Sequence, residues 1–216
     1  MKYPSLFIST CDEVFSFHTS MKNLLIILFA LCLFPFQTQA QKPVTERYAA
    51  GTVPVVDGFV RFECTYGLQG KSRRQIAEII KDFVQRELVD GPEQLPQARI
   101  TEYDPETGTV AASIEEYMYF KRTNWQIHRV RFYYQFVAQI QDGQAHVELR
   151  RLHYRYDPEV TAGDFDDDRR AEDWITDEHA LTKNGTKLAR ISGKFRTHTI
   201  DRKDELFDHL AKAFAE

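Results

Sequence analysis

The sequence is poor in the features that most readily announce a function. It has three cysteines in 216 residues, and two of them, Cys11 and Cys32, fall in the first forty positions. Cys64 is alone in the remainder, which excludes an internal disulfide framework there. Charge of one sign is also lacking: 28 Lys and Arg stand against 32 Asp and Glu, a net charge of -4. A nucleic-acid partner, which calls for a basic balance, is therefore not expected. The apolar run Leu24 to Phe36 is too short for a spanning helix. There is no G-x-S-x-G elbow, which removes the commonest sign of a serine nucleophile. Histidines 128, 146, 153, 179, 198 and 209 are scattered, without the convergence a zinc site wants. No catalytic set, metal or cofactor is expected.

What is present begins with an address. Lys22 supplies a positive start, Leu24 to Phe36 an apolar core, and Thr38-Gln39-Ala40 small residues where a signal peptidase reads. Met21 to Ala40 thus reads as a secretory signal, with Gln41 as the mature start and a periplasmic or extracellular destination. Residues 1–20 precede that signal and read as a mis-annotated extension. Leu31 sits before Cys32 where lipidation needs a small residue, so no membrane anchor is expected after cleavage. Residues 41–56 read as a flexible lead and 57–216 as a single domain. Hydrophobic content of 43% and charged content of 28% suit a soluble fold.

Within that domain, Phe59 to Tyr66 alternates as a strand, with Val60, Phe62, Cys64 and Tyr66 on one face. Ser72 to Leu88 carries a helical stripe of Ile76, Ile79, Ile80, Phe83, Val84 and Leu88. Ser72 and Gln75 are spaced as a capping box, and Asp90-Gly91-Pro92 is a stop in which Gly91 offers a left-handed cap. Strands follow at Arg99 to Tyr103, Thr109 to Phe120, Ile127 to Gln141 and Gln144 to Tyr156. The Asp104 to Gly108 and Asp142-Gly143 turns separate two of these pairs. In the last strand the apolar phase slips at Arg150 and Arg151, which predicts a bulge that returns Leu152, Tyr154 and Tyr156 to the core. Asp157 to Thr199 reads as irregular, anchored by Trp174 and Ile175. Asp201 to Phe214 reads as a closing amphipathic helix capped by Asp201. An antiparallel sheet with one apolar face needs a cover, and two helices supply it. The expected fold is an α+β two-layer sandwich in β-α-β4-α order.

Val53-Pro-Val-Val-Asp-Gly58, Gly70-Lys-Ser72 and Gly193-Lys-Phe-Arg196, together with that order and the export signal, resemble the bacterial envelope family called domain of unknown function 4468. The resemblance covers about Val53 to the C-terminus and implies a TBP-like fold. It implies no known reaction and no functional residues.

The candidate surface is the sheet face turned away from the helices. Alternation places Phe59, Arg61, Tyr117, Tyr119, Arg129, Arg131, Tyr133 and Arg155 there. Aromatic and arginine side chains together suit recognition of an envelope ligand or protein partner. Two bland readings compete with this. Asp157 to Thr199 folds over the face with Trp174 as a plug, or ordinary cross-strand pairs such as Arg with Glu148 occupy it. The main functional expectation is a non-catalytic binding module. The alternatives are an enzyme with a site around His146, His153 and Glu148, and a homodimer that covers its sheet. The acidic run Asp164, Asp166, Asp167 and Asp168 has the spacing of a calcium loop. Arg169 and Ile175 stand where that loop needs Gly and Glu, so it reads as a solvated loop.

Overall fold

The computed structural model describes residues 44–123, 125–156 and 168–216. The signal segment, the first residues of the lead, Asn124 and the acidic residues 164, 166 and 167 lie outside the described residues. The strands are β1 (Val55–Val56), β2 (Phe59–Gly67), β3 (Arg99–Asp104), β4 (Thr109–Thr123), β5 (Gln126–Gln141), β6 (Gln144–Tyr156) and β7 (Arg169–Arg170). The helices are α1 (Arg73–Phe83), α2 (Asp177–Ala180) and α3 (Ser192–Ala215). Relative to the expected order, β1, β7 and α2 are additional short elements.

All strand pairs are antiparallel, in the order β1-β2-β6-β5-β4-β3, with β7 also on β6. Asp57 and Gly58 both have positive φ and form the tight turn between β1 and β2. β2 runs beside β6 only as far as Arg61 opposite Arg150, and β7 takes up the same edge at His153 and Tyr154. The bulge lies where the phase slip predicts it. Tyr133 faces His153 and Gln135 faces Arg150, so Arg151 and Leu152 oppose Tyr134 alone. Arg151 absorbs the extra residue at φ 55°. Leu152 and Tyr154 are consequently buried, and Tyr156 is half-buried.

The apolar face of the sheet packs against α1 and α3 in one continuous core. Ser72 and Gln75 form a complete capping box at the start of α1. Val84–Val89 then widens into a π-helical turn that ends with the Asp90 N–H donating to the Gln85 carbonyl. Gly91 is not left-handed as expected. It is needed for close approach, since a Cβ there would lie 2.6 Å from the Glu87 carbonyl oxygen. Cys64 and Tyr66 are half-buried, less enclosed than the strand phase implies.

The closing helix starts nine residues earlier than expected. Asp201 is not its cap but lies within it, accepting from the Tyr48 hydroxyl at 2.8 Å. Ser192, Gly193, Thr197, Thr199 and Ile200 are weak helix formers and hide the start. Tertiary packing overrides them, because Phe195, Thr199, Ile200, Leu206, Leu210 and Phe214 form one buried stripe. Trp174 also departs from the plug reading: its ring meets Phe195 of α3 at 5.7 Å, on the helix-covered side, while Ile175 is fully buried as an anchor.

Arg196 is 0% exposed and organises this region. It donates to the carbonyls of Tyr48, Ala49 and Ile175 at 3.0, 2.6 and 2.8 Å, and pairs with Asp177 at 2.8 Å. Residues 44–54, expected as a flexible lead, are held by these bonds and by the Val44 N–H donating to the Thr186 carbonyl. The Gly193-Lys-Phe-Arg196 motif is thereby explained. Gly193 lets the helix start against Leu188, whose Cβ would sit 2.7 Å from an added Cβ, and Arg196 ties the lead to the helix.

Candidate functional site

A concavity opens at the edge of the sheet, between β4 and α3. Past Ser113, β3 no longer covers β4, and residues Glu93 to Leu95 take its place. Leu95 N–H donates to the Glu115 carbonyl at 2.8 Å and Tyr117 N–H to the Glu93 carbonyl at 2.9 Å. Helix α3 supplies the facing wall through His198, Asp201, Arg202, Glu205 and His209, spaced so that they share one side. Glu87, carried by the π-helical turn, closes one end. The crevice holds about 530 Å³.

Its floor is an ion pair within the core. Glu116 sits in the inward phase of β4, between Ile114 and Met118, and is only 3% exposed. Arg202 grips it with both arms, Nε to Oε1 at 2.9 Å and Nη2 to Oε2 at 2.8 Å, and Gln94 Nε2 adds a third donor at 2.7 Å. Burial works against the Arg202 charge, but Glu116 outweighs it and holds the guanidinium pKa well above its ordinary value. Tyr134 lies beside this pair, and burial, reinforced by Glu116, pushes its phenol well above the usual range. Gln94 Oε1 is buried and has no hydrogen-bond partner. Around this floor Glu87, Glu93, Asp201 and Glu205 bring the lining carboxylates to five, beside His198 and His209. Each carboxylate has an arginine partner: Arg86 on Glu87 at 3.2 Å, Arg122 on Glu93 at 2.6 Å, Arg47 on Asp201 at 3.1 Å, and Arg202 on both Glu205 and Glu116 at 2.8 Å. Tyr117 and Tyr119 form the sheet-side rim, with rings 6.1 Å apart.

Of the eight residues placed on the outer face by alternation, register makes Tyr117, Tyr119, Arg129, Arg131, Tyr133 and Arg155 neighbours across β4, β5 and β6, while Phe59 and Arg61 lie on β2. Tyr117 and Tyr119 reach the crevice. Arg129 lies over the Tyr117 ring at 3.9 Å and Arg122 over Tyr119 at 4.7 Å. Arg131 approaches Glu115 at 3.6 Å, and Tyr133 stacks flat on His153 at 4.5 Å. Burial, then Glu115, raises the Tyr133 pKa. Arg61 is engaged by Glu63 at 3.0 Å and by Glu148 at 3.9 Å. Phe59 is 56% exposed beside Val55 and Val56 and lines a concavity with Arg61, and Arg155 is exposed opposite Arg131. Cross-strand pairing of the kind expected for Glu148 thus accounts for much of the face.

His146 and His153 share this face because of the bulge, but have separate partners. His153 faces Asp168 at 3.9 Å, whereas His146 faces Glu148 at 3.5 Å. The crevice escaped the sequence reading, although a signal existed: Glu116 is a charged residue at an apolar position of an otherwise regular strand.

An antiparallel sheet backed by helices on one face, with the helix–sheet seam open at the β4 edge, places the protein among TBP-like α+β domains. The sequence profile of the family described as a domain of unknown function (DUF4468) with TBP-like fold matches residues 62–155. A DUF4468 family protein from Bacteroides ovatus ATCC 8483, whose crystal structure was solved at 1.49 Å, is 32% identical; the match covers 81% of this chain and 97% of that one, with a TM-score of 0.71. The chain belongs to this family. A TBP-like protein from Parabacteroides distasonis ATCC 8503, solved at 1.90 Å, is 16% identical over 76% of this chain and 97% of its own, with a TM-score of 0.59, and shares the fold. No curated protein matches the chain.

Proposed function

We propose that this chain is an exported, non-catalytic binding module that receives a cationic group, an ammonium or guanidinium, in the crevice between β4 and α3. The carrying observation is the lining: five carboxylates, two tyrosine rings and an unpartnered Gln94 carbonyl oxygen around a concavity of about 530 Å³. Carboxylates and tyrosine faces attract such a group, as Glu93 and Tyr119 already do for Arg122, and Tyr117 for Arg129, within the chain; a ligand cation enters by competing with these arginines at the rim. The export part rests on the Met21 to Ala40 pattern.

Titration calorimetry with spermidine, an arginine-rich peptide and an anionic glycan tests the reading. Binding of the cationic probes is expected, weakened at least tenfold in a Glu93→Gln/Glu205→Gln double variant, whose changes are at the rim rather than the buried floor. Binding that survives this variant but is lost in Arg131→Ala would move the site to the outer sheet face and sink the crevice assignment. Preference for the anionic glycan would do the same for the ligand class.

A further inference from the structure

A second constellation lies on the outer face, independent of the crevice. β2 and β6 place Glu63 directly opposite Glu148, and Thr65 opposite His146. Glu63, His146 and Glu148 each present one ligand atom within 4.8 Å of the other two. His146 Nε2 stands 3.5 Å from Glu148 Oε1 and 3.9 Å from Glu63 Oε2. These separations exceed an ordinary hydrogen bond. They approach the spacing of about 3.3–3.5 Å that tetrahedral bonds of about 2.0–2.2 Å impose between ligands of one zinc ion.

The surroundings divide the labour as an outer shell does. Thr65 Oγ1 lies 2.9 Å from His146 Nδ1. When it accepts the Nδ1 proton, Nε2 is left as the lone-pair nitrogen aimed at the two carboxylates. Each carboxylate also turns its other oxygen toward an arginine: Glu63 Oε1 to Arg61 Nε at 3.0 Å, and Glu148 Oε2 to Arg150 Nη1 at 3.6 Å. Glu63 Oε2 and Glu148 Oε1 converge with Nε2, and Arg61 Nη1 stands 3.9 Å from Glu148 Oε1, beyond hydrogen-bond distance. All of these residues stand on paired strands, so the backbone holds their spacing, and the half-exposed position leaves a fourth ligand site for water.

We propose that Glu63, His146 and Glu148 form a binding site for a divalent transition-metal ion, best matched by Zn2+. An imidazole nitrogen with two carboxylate oxygens is a donor set zinc accepts, and the dication supplies the positive charge that the three converging lone-pair atoms call for. Arg61 and Arg150 neutralise part of the carboxylate charge, so affinity is moderate.

Co2+ serves as a spectroscopic probe of the purified chain. One equivalent is expected to give visible d–d absorption of four- or five-coordinate intensity, displaced by one equivalent of Zn2+. In His146→Gln the midpoint of the Co2+ titration is expected to move at least tenfold to higher concentration. Glu63→Gln, at an exposed position, gives the same direction of change and serves if the histidine variant loses its circular dichroism signature. Absence of the visible bands, or wild type and both variants titrating alike, overturns the proposal.

Discussion

At the scale of single residues, the charged groups in the interior carry the most structural information. Arg196 joins the lead to the stretch from Ile175 to Asp177, donating to the carbonyls of Tyr48, Ala49 and Ile175, of which Ala49 also accepts from Thr52. Replacing it with Met keeps the bulk but removes these donors and the charge that pairs with Asp177. We expect Arg196→Met to cost about 3 kcal/mol, in the range for breaking a buried charged network. The check is a lower urea midpoint at unchanged m-value. A midpoint within error of wild type would show that the lead does not depend on this side chain. His198 gives a prediction of another kind. Burial, the largest influence, lowers its pKa, while Asp201 pulls the other way. The unfolded chain therefore holds this proton more readily than the folded one. Stability from this group is complete above the unfolded value of about 6.5 and is lost as pH falls through the lowered folded value. Melting temperature is expected to drop between about pH 7 and pH 5, and to drop less in His198→Gln. Equal slopes for the two proteins would assign the dependence to other groups.

Elements were more legible than residues. The strand alternation, the α1 stripe and its capping box are all written in local sequence, because period and cap depend on neighbours only a few positions away. The bulge was legible for the same reason, since a one-residue phase slip is a local fact. The start of α3 was not: Gly193 and the β-branched residues after it oppose a helix locally, and only the packing of Phe195 and the reach of Arg196 to Tyr48 reverse that preference. Both candidate sites were hidden by distance along the chain. Glu116 meets Arg202 across 86 positions and Thr65 meets His146 across 81, so neither pairing leaves a spacing signal. The bulge also yields a test. Arg151 holds φ 55°, a left-handed conformation that costs a residue with a Cβ about 1 kcal/mol or more. Arg151→Gly is expected to raise stability by about 0.5–1 kcal/mol without moving Leu152 or Tyr154. A destabilised variant would mean that the arginine side chain, not the backbone geometry, maintains the bulge.

At the scale of the whole molecule, the export reading predicts a definite product. Intact-mass measurement of the chain recovered from an expressing bacterium's envelope fraction is expected to give a species beginning at Gln41. A species retaining Met21, or beginning well before Gln41, would remove the signal assignment. The strand order adds a temporal consequence. The first long strand pairs with the last one, β2 with β6, and the lead is fastened by a residue of the closing helix. Such a sheet cannot close while its sixth strand is still on the ribosome, and the wait lengthens with the separation of the partners. The helices, the β1–β2 hairpin and the β3–β4–β5–β6 meander can form from neighbouring sequence, but the β2–β6 pairing that joins them cannot. A chain wired in this way stays unlocked until nearly all of it has been made, which is the condition a polypeptide needs if it is to be threaded through a narrow translocation channel before it folds.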